Sequence, residues 1–225
     1  MKKLIFMCLL LPVLHWAQAQ IYVESQFVHH LQSVNFNTGT QGFGAEYRYS
    51  VADNVNLRAG FNILPVQANN VFQLSGLHST SNVQARFTNV HILADYTPFE
   101  GFSFLRLVGG AAYFTQAKGH MAIQPTDTYK YGDITLDKEQ VGTLDMDINW
   151  QGVAPYLGLG LFHAFPRRTF NVNVDLGTYY LTQPKAQIVG TGILAGNSSQ
   201  SATFQKNITN YRWYPQLQLN FNFKL

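Results

Sequence analysis

Hydrophobic and polar residues alternate along most of the chain, in stretches of about ten residues that turn-forming segments separate. The clearest stretch covers residues 54–63, where every second residue from Val55 to Ile63 is apolar and Asn, Arg or Gly stands between. A period of two is typical of strands whose two faces meet different surroundings. Strands are predicted at 21–31, 42–49, 54–63, 83–96, 102–115, 152–161, 170–180 and 212–225. About ten residues is also the length at which a tilted strand crosses a bilayer.

The connections between these stretches carry a second pattern. Those after the second, fourth and sixth stretches are short, at 50–53, 97–101 and 166–168. Those after the third, fifth and seventh are long, at 64–82, 116–149 and 183–208, and the first, at 32–39, is intermediate. Outer-membrane barrels have short periplasmic turns at one end and long external loops at the other. The pattern therefore predicts an all-β, antiparallel up-and-down transmembrane barrel of about eight strands, with a periplasmic N-terminus.

The first residues predict an export signal. Lys2 and Lys3 precede an apolar run at 4–14, and Ala17-Gln18-Ala19 supplies the small residues that signal peptidase requires. The apolar run is too short for a transmembrane anchor. We therefore predict a signal peptide at 1–19 and an outer-membrane barrel domain at 20–225. Cys8 lies in the leader, so the mature chain is predicted to lack disulfides and cysteine-based metal sites.

Composition and charge support a location in lipid. Charged residues make up 12% of the chain, whereas a soluble domain typically carries about 25%. Loss of Lys2 and Lys3 with the leader lowers the formal net charge from +3 to +1, which gives no basic patch for nucleic acid. The predicted location is the bacterial outer membrane. The predicted partners are outer-membrane lipid and, during biogenesis, the outer-membrane assembly machinery, with no nucleic acid.

Alternation alone does not say which face of the barrel is inside. A secreted lipocalin-like barrel would also alternate, with its apolar face around a ligand. Three features favour the membrane: a polar face of Asn, Gln and Gly, aromatic residues near strand ends, and an alternating final segment, Phe221-Asn222-Phe223-Lys224-Leu225.

That final segment resembles the C-terminal assembly signal of bacterial outer-membrane barrels, with Leu225 where those proteins usually have Phe or Trp. Residues 152–225 show a wider resemblance to the closing half of the small OmpA/OmpX-type barrel families. It rests on 154–160 (APYLGLG), 174–177 (VDLG) and Tyr214-Pro215 before the last strand. The resemblance implies an eight-stranded barrel in the outer membrane. It implies no reaction, because such barrels serve as anchors, adhesins, minor pores and occasionally enzymes.

With the apolar faces toward lipid, four carboxylates and four arginines point into the lumen. They are Glu24, Glu46, Asp95, Asp175, Arg48, Arg58, Arg106 and Arg212. An eight-stranded barrel is just wide enough for its own side chains. Because an unpaired buried charge is costly, these groups are predicted to pair and to form a neutral polar plug. The alternative is a selectivity lining or a proton path.

Other candidate chemistry is weaker. His29, His30 and His78-Ser79 could belong to a rim enzyme, but no G-x-S-x-G or H-E-x-x-H motif accompanies them. Asp145-Met146-Asp147 could hold Ca²⁺, although a solvated acidic loop is the simpler interpretation. No catalytic, cofactor-binding or metal-binding residue is predicted. The predicted function is a non-enzymatic barrel that displays long external loops for surface interaction or envelope integrity. The alternatives are a minor pore for small solutes or a rim enzyme acting on lipid or peptide.

Overall fold

The computed structural model describes residues 31–71, 79–98, 104–131 and 133–225, and its main feature is a closed ring of antiparallel strands. The strands are β1 (Gln32–Gly39), β2 (Gly42–Ala52), β3 (Val55–Asn69), β4 (Ser79–Tyr96), β5 (Leu105–Pro125), β6 (Tyr129–Tyr131), β7 (Ile134–Leu136), β8 (Leu144–Asn149), β9 (Gly152–Leu161), β10 (Phe170–Tyr180), β11 (Lys185–Gly190) and β12 (Trp213–Lys224). The helices are α1 (Lys138–Val141), a 3-10 helix (Gly192–Gln200) and α2 (Ser201–Ile208). None of the helices described is long and apolar enough to cross a membrane.

Eight strands close the ring in the order β1, β2, β3, β4, β5, β9, β10 and β12. The closing pair joins the first and last strands, with Ser33 opposite Lys224 and Gly39 opposite Gln218. Elsewhere in the ring, sequence neighbours pair, except that β5 pairs with β9 and β10 pairs with β12. The predicted antiparallel up-and-down barrel of eight strands is confirmed.

The predicted position of the first strand was wrong. Residues 32–39, predicted as a connection, form β1, and the predicted first strand at 21–31 falls outside the described residues except for Leu31. In β1 only Val34 and Phe36 are apolar on the outer face, while Ser33, Asn35 and Asn37 are buried inside. The connection between β1 and β2 is therefore only Thr40-Gln41, followed by Gly42 at a φ of 82°. The predicted leader at 1–19 also lies outside the described residues and stays a prediction.

The outer face of the ring is apolar. Leu57, Leu157 and Leu219 are exposed, Leu157 to 71% of its surface, and Val174 shares their outward orientation. Aromatic pairs lie toward the two ends of this belt, with Tyr180 against Trp213 at one end and Phe170 against Phe223 at the other. This orientation is the reverse of a lipocalin-like barrel. Such a belt around a closed barrel requires lipid.

Three strands continue past the belt at the end of the barrel that carries the long connections. In these extensions β4 pairs with β3 on one side and with β5 on the other. In turn, β8 pairs with β5 from Lys118 to Ile123, and β11 pairs with β8. We call this five-stranded extension the external sheet. Much of the predicted loops at 64–82, 116–149 and 183–208 is therefore regular structure. The backbone N–H groups of the edge strand β11 donate to side chains of the two following helices, as in Ile188 to Ser201 Oγ.

Candidate functional site

Six charged side chains from five strands meet inside the barrel. We call them the charge cluster: Glu46, Arg48, Arg58, Asp95, Arg106 and Asp175. Their side chains are at most 1% exposed. All six occupy positions of their alternating strands whose side chains face the lumen. The three positive and three negative charges balance, as a low-dielectric interior requires.

Arg58 is the centre of the charge cluster. Its Nη1 lies 2.6 Å from Asp175 Oδ2 and 3.4 Å from Glu46 Oε2, and its Nη2 lies 3.3 Å from Asp95 Oδ1. Arg106 bridges two of the same carboxylates, at 2.7 Å to Asp95 Oδ2 and 3.0 Å to Asp175 Oδ1. Charge-assisted bonds of this length are among the stronger protein hydrogen bonds. The guanidinium groups therefore link β2, β3, β4, β5 and β10 across the lumen.

Arg48 completes the charge cluster on the periplasmic side. Its Nη2 lies 3.3 Å from Glu46 Oε2, and its Nη1 donates to the backbone oxygen of Ala164 at 3.3 Å. Ala164 belongs to the connection between β9 and β10, on the same side as the C-terminus of β12. This contact joins the charge cluster to the periplasmic end of the barrel.

Two of the eight predicted lumen residues are not in the charge cluster. Glu24 lies outside the described residues. For Arg212 the predicted pairing in the lumen is wrong: its guanidinium stacks 4.2 Å from the Tyr180 ring centre, and its Nε donates to the backbone oxygen of Leu181. Arg212 precedes β12 at the external end, whereas Asp175 pairs with Gln218, six residues further along. Alternation predicts the face of a residue but not its depth.

Amide side chains and one histidine surround the charge cluster, and sequence reasoning had singled out none of them. Glu46 accepts hydrogen bonds from Asn35 Nδ2 at 3.0 Å and Gln218 Nε2 at 3.1 Å, and His91 Nε2 lies 3.2 Å from it. Asp175 accepts one from Asn220 Nδ2 at 2.8 Å. The signal available in the sequence was their inward phase, which they share with the charged residues.

Two inward glycines make room for the charge cluster. A Cβ at Gly160 would overlap the guanidinium of Arg106, and a Cβ at Gly60 would overlap the Glu46 side chain. The strands thus place the smallest residue opposite large charged ones. This pairing explains part of the glycine content of the inner face.

The external half of the lumen holds an apolar cluster beside three buried amides, Gln41, Asn62 and Asn89, which hydrogen-bond to one another. We call the apolar residues the aromatic cluster: Leu93, Val108, Ala112, Phe114, Ala117, Ala154, Tyr156, Tyr179 and Leu181, with Phe87, Trp150 and Tyr214 packed against them. Phe87 stacks on Tyr214 at 4.9 Å between ring centres, and Phe114 meets Tyr179 edge-on at 5.5 Å. The sequence signal was the stretch at 102–115, which is apolar on both faces apart from Arg106.

The other candidate residues stay apart from this interior. Asp145 and Asp147 both face His120, at 3.8 and 2.8 Å, and the described residues include no group of three or more His, Cys, Asp or Glu that could hold a metal ion. His29, His30 and His78 lie outside the described residues.

Comparison with known proteins identifies the fold. No family model and no curated protein sequence matches the chain. The crystal structure of Acinetobacter baumannii CarO matches with a TM-score of 0.61 and 20% identity, over 86% of this chain and 97% of that one. The structure of A. baumannii CarO2 matches with a TM-score of 0.62 and 18% identity, over 87% and 99%. The chain has the fold of a bacterial outer-membrane β-barrel.

At these identities the likeness concerns the fold alone. The barrel fold and the apolar belt together confirm the location predicted from the sequence, the bacterial outer membrane. The narrower resemblance of residues 152–225 to OmpA/OmpX-type families stays a prediction.

Proposed function

We propose that this chain is a non-enzymatic outer-membrane barrel with a sealed lumen, and that it displays its external sheet for surface interaction or envelope integrity. The charge cluster is the observation that carries this proposal. Its guanidinium groups span the lumen between five strands, and the side chains are at most 1% exposed. By resemblance we group the chain with the small OmpA/OmpX-type barrels, which include anchors and adhesins.

The aromatic cluster supports the same function from the other end. Solutes entering from outside would meet Phe114, Tyr179 and Tyr214 before reaching the charge cluster. An eight-stranded barrel leaves little room beyond its own side chains. Opening a path would also require breaking buried ion pairs, at a cost of several kcal/mol. A rigid, filled barrel suits the role of a scaffold for the external sheet.

A minor pore for small solutes is the second candidate, and one observation favours it. Buried oxygens of Ser33, Gln216 and Asn222 have no hydrogen-bond partner among the described residues. Buried polar atoms of this kind are usually satisfied by ordered water. A chain of such waters along β1 and β12 would begin a polar path beside the charge cluster.

Planar-bilayer recording separates the two functions. The folded, unmodified barrel is expected to give no sustained conductance, with folding checked by heat-modifiable gel mobility. A double variant, Arg58→Ala with Phe114→Ala, removes one central group from each lumen cluster and is expected to conduct more than Arg168→Ala, an exposed control. Steady ion-conducting steps from the unmodified barrel would contradict the sealed lumen and support the pore.

A further inference from the structure

Three cationic side chains form a row on the outward face of the external sheet. Arg86 on β4 lies directly opposite Lys118 on β5, Lys118 lies opposite Asn149 on β8, and Asn149 lies opposite Lys185 on β11. We call Arg86, Lys118 and Lys185 the basic row. Directly opposite residues share one face of a sheet, and all three cations are exposed.

The basic row lies just above the apolar belt. Arg86 lies opposite Pro65. The next pair on the same face, two residues closer to the membrane, is Thr88 with Ile63, and Ile63 is an exposed apolar residue. Two residues of strand span about 7 Å, less along the membrane normal because the strands tilt. Lipid headgroups occupy the layer next to the hydrocarbon core. The basic row is therefore at headgroup height, on the face that meets lipid.

The cations of the basic row are not paired within the described part of the chain, although Asp145 and Asp147 on β8 lie on the same face farther from the membrane. No carboxylate of the described residues forms an ion pair with Arg86, Lys118 or Lys185, and the nearby Asp147 contacts His120 instead, at 2.8 Å. Like charges directly opposite on a sheet are destabilising. The charge cluster shows the contrast, because each of its arginines contacts a carboxylate. A bound anion would offset the repulsion between Arg86 and Lys118.

An amide-rich groove lies farther from the membrane on the same side of the sheet. It has a volume of about 440 Å³, and its lining includes Asn69, Asn82, Gln84, His120 and Gln124. Gln84 donates to Asn82 at 3.0 Å, and Asn82 donates to Asn69 at 2.6 Å. A side-chain amide can make about four hydrogen bonds, so these groups keep donors and acceptors for a polar ligand. Such groups suit the hydroxyls of a sugar.

We propose that the basic row and the groove bind the phosphorylated sugar headgroup of an outer-leaflet glycolipid. Its phosphates lie against Arg86, Lys118 and Lys185, and its sugar hydroxyls lie against the amides of the groove. The position of the basic row favours a lipid over a free phosphate or a nucleic acid as the ligand, because the row lies next to the apolar belt and faces sideways into the bilayer. The inference rests on the external orientation in the proposed function but not on a sealed lumen.

Lipid retention by the folded, full-length barrel tests this inference. The protein is placed in phosphatidylcholine vesicles that contain a bis-phosphorylated diglucosamine lipid or the same lipid without phosphates, and bound glycolipid is measured by native mass spectrometry. The triple variant Arg86→Gln, Lys118→Gln, Lys185→Gln is expected to lose on the order of a hundredfold in affinity for the phosphorylated lipid, at about fivefold per cation. The unphosphorylated lipid is expected to bind the unmodified barrel much more weakly.

The control removes the same charge elsewhere, with Arg167→Gln, Arg168→Gln and Lys206→Gln, and is expected to retain the phosphorylated lipid. Equal retention by the two triple variants would overturn the inference, and so would displacement of the lipid by equimolar inorganic phosphate. If the first triple variant fails to fold, salt titration of the unmodified barrel decides, because retention by exposed charges must weaken as ionic strength rises. Conductance is recorded separately, so a pore would leave this result unaffected.

Discussion

The two halves of the lumen are filled by different physical means. In the periplasmic half, each arginine of the charge cluster contacts at least one carboxylate at a defined distance, as Arg58 does with Asp175 at 2.6 Å. In the external half, the aromatic cluster packs by shape, with ring centres such as those of Tyr156 and Tyr179 at 4.6 Å. Ion pairs are directional and fail when one partner is lost, whereas apolar packing depends mainly on volume and tolerates similar side chains. The charge cluster therefore requires specific ion-pair partners, whereas the aromatic cluster requires mainly the right side-chain volume.

The largest expected effect is that of Arg58→Ala. The substitution leaves three buried carboxylates with two arginines, and removal of one partner from a buried pair costs about 3–5 kcal/mol. The free energy of unfolding, measured by urea titration in detergent, is expected to fall by that amount. Arg58→Met, which keeps much of the volume, is expected to be nearly as destabilising because the missing charge is the cause.

Arg168→Ala is the control for Arg58→Ala, because Arg168 is exposed in the connection between β9 and β10. A surface substitution of this kind usually changes stability by about 0.5 kcal/mol or less. Similar losses for the two variants would show that the charge cluster has no special role in stability.

In the aromatic cluster, Phe114→Ala is expected to cost about 3 kcal/mol, since truncation of a buried aromatic leaves a cavity. Phe114 is 1% exposed and meets both Tyr179 and Tyr214. Phe114→Leu restores much of the volume and is expected to cost less than about 1.5 kcal/mol. The same unfolding titration checks both. An equal loss for Leu and Ala would mean that this half also depends on specific partners.

The two halves were not equally readable from the sequence. The charge cluster followed from alternation, because Glu46, Asp95 and Asp175 all occupy inward positions of clear strands. The aromatic cluster was visible only as a stretch that was apolar on both faces. Strand β1 was missed because Val34 and Phe36 are its only outward apolar residues. Its partner β12 is also at the other end of the sequence, so no local pattern indicates the pairing. The external sheet was missed because its outward residues are polar, unlike those of a membrane strand.

A smaller effect is expected where a strand approaches the charge cluster closely. Gly160→Ala would push the Arg106 guanidinium from its place between Asp95 and Asp175. Overpacking of this kind typically costs about 1–3 kcal/mol. Gly109→Ala is the matched control, because nothing lies within 4 Å of a Cβ there. Thermal unfolding of both variants is the measurement, and equal melting temperatures would show that Arg106 adapts without loss.

The smallest expected effect is that of Arg212→Ala, which tests where the charge cluster ends. Arg212 stacks on Tyr180 and donates to the Leu181 backbone, but in the described structure it reaches no carboxylate. A partly exposed cation–π contact contributes about 0.5–1 kcal/mol. Urea unfolding of Arg212→Ala beside Arg58→Ala should therefore show the smaller loss by several-fold. Arg212→Lys keeps the charge, so a full rescue would assign the effect to charge rather than to stacking of the planar guanidinium. A loss for Arg212→Ala as large as that for Arg58→Ala would extend the charged interior to the external rim and remove the contrast between the two halves.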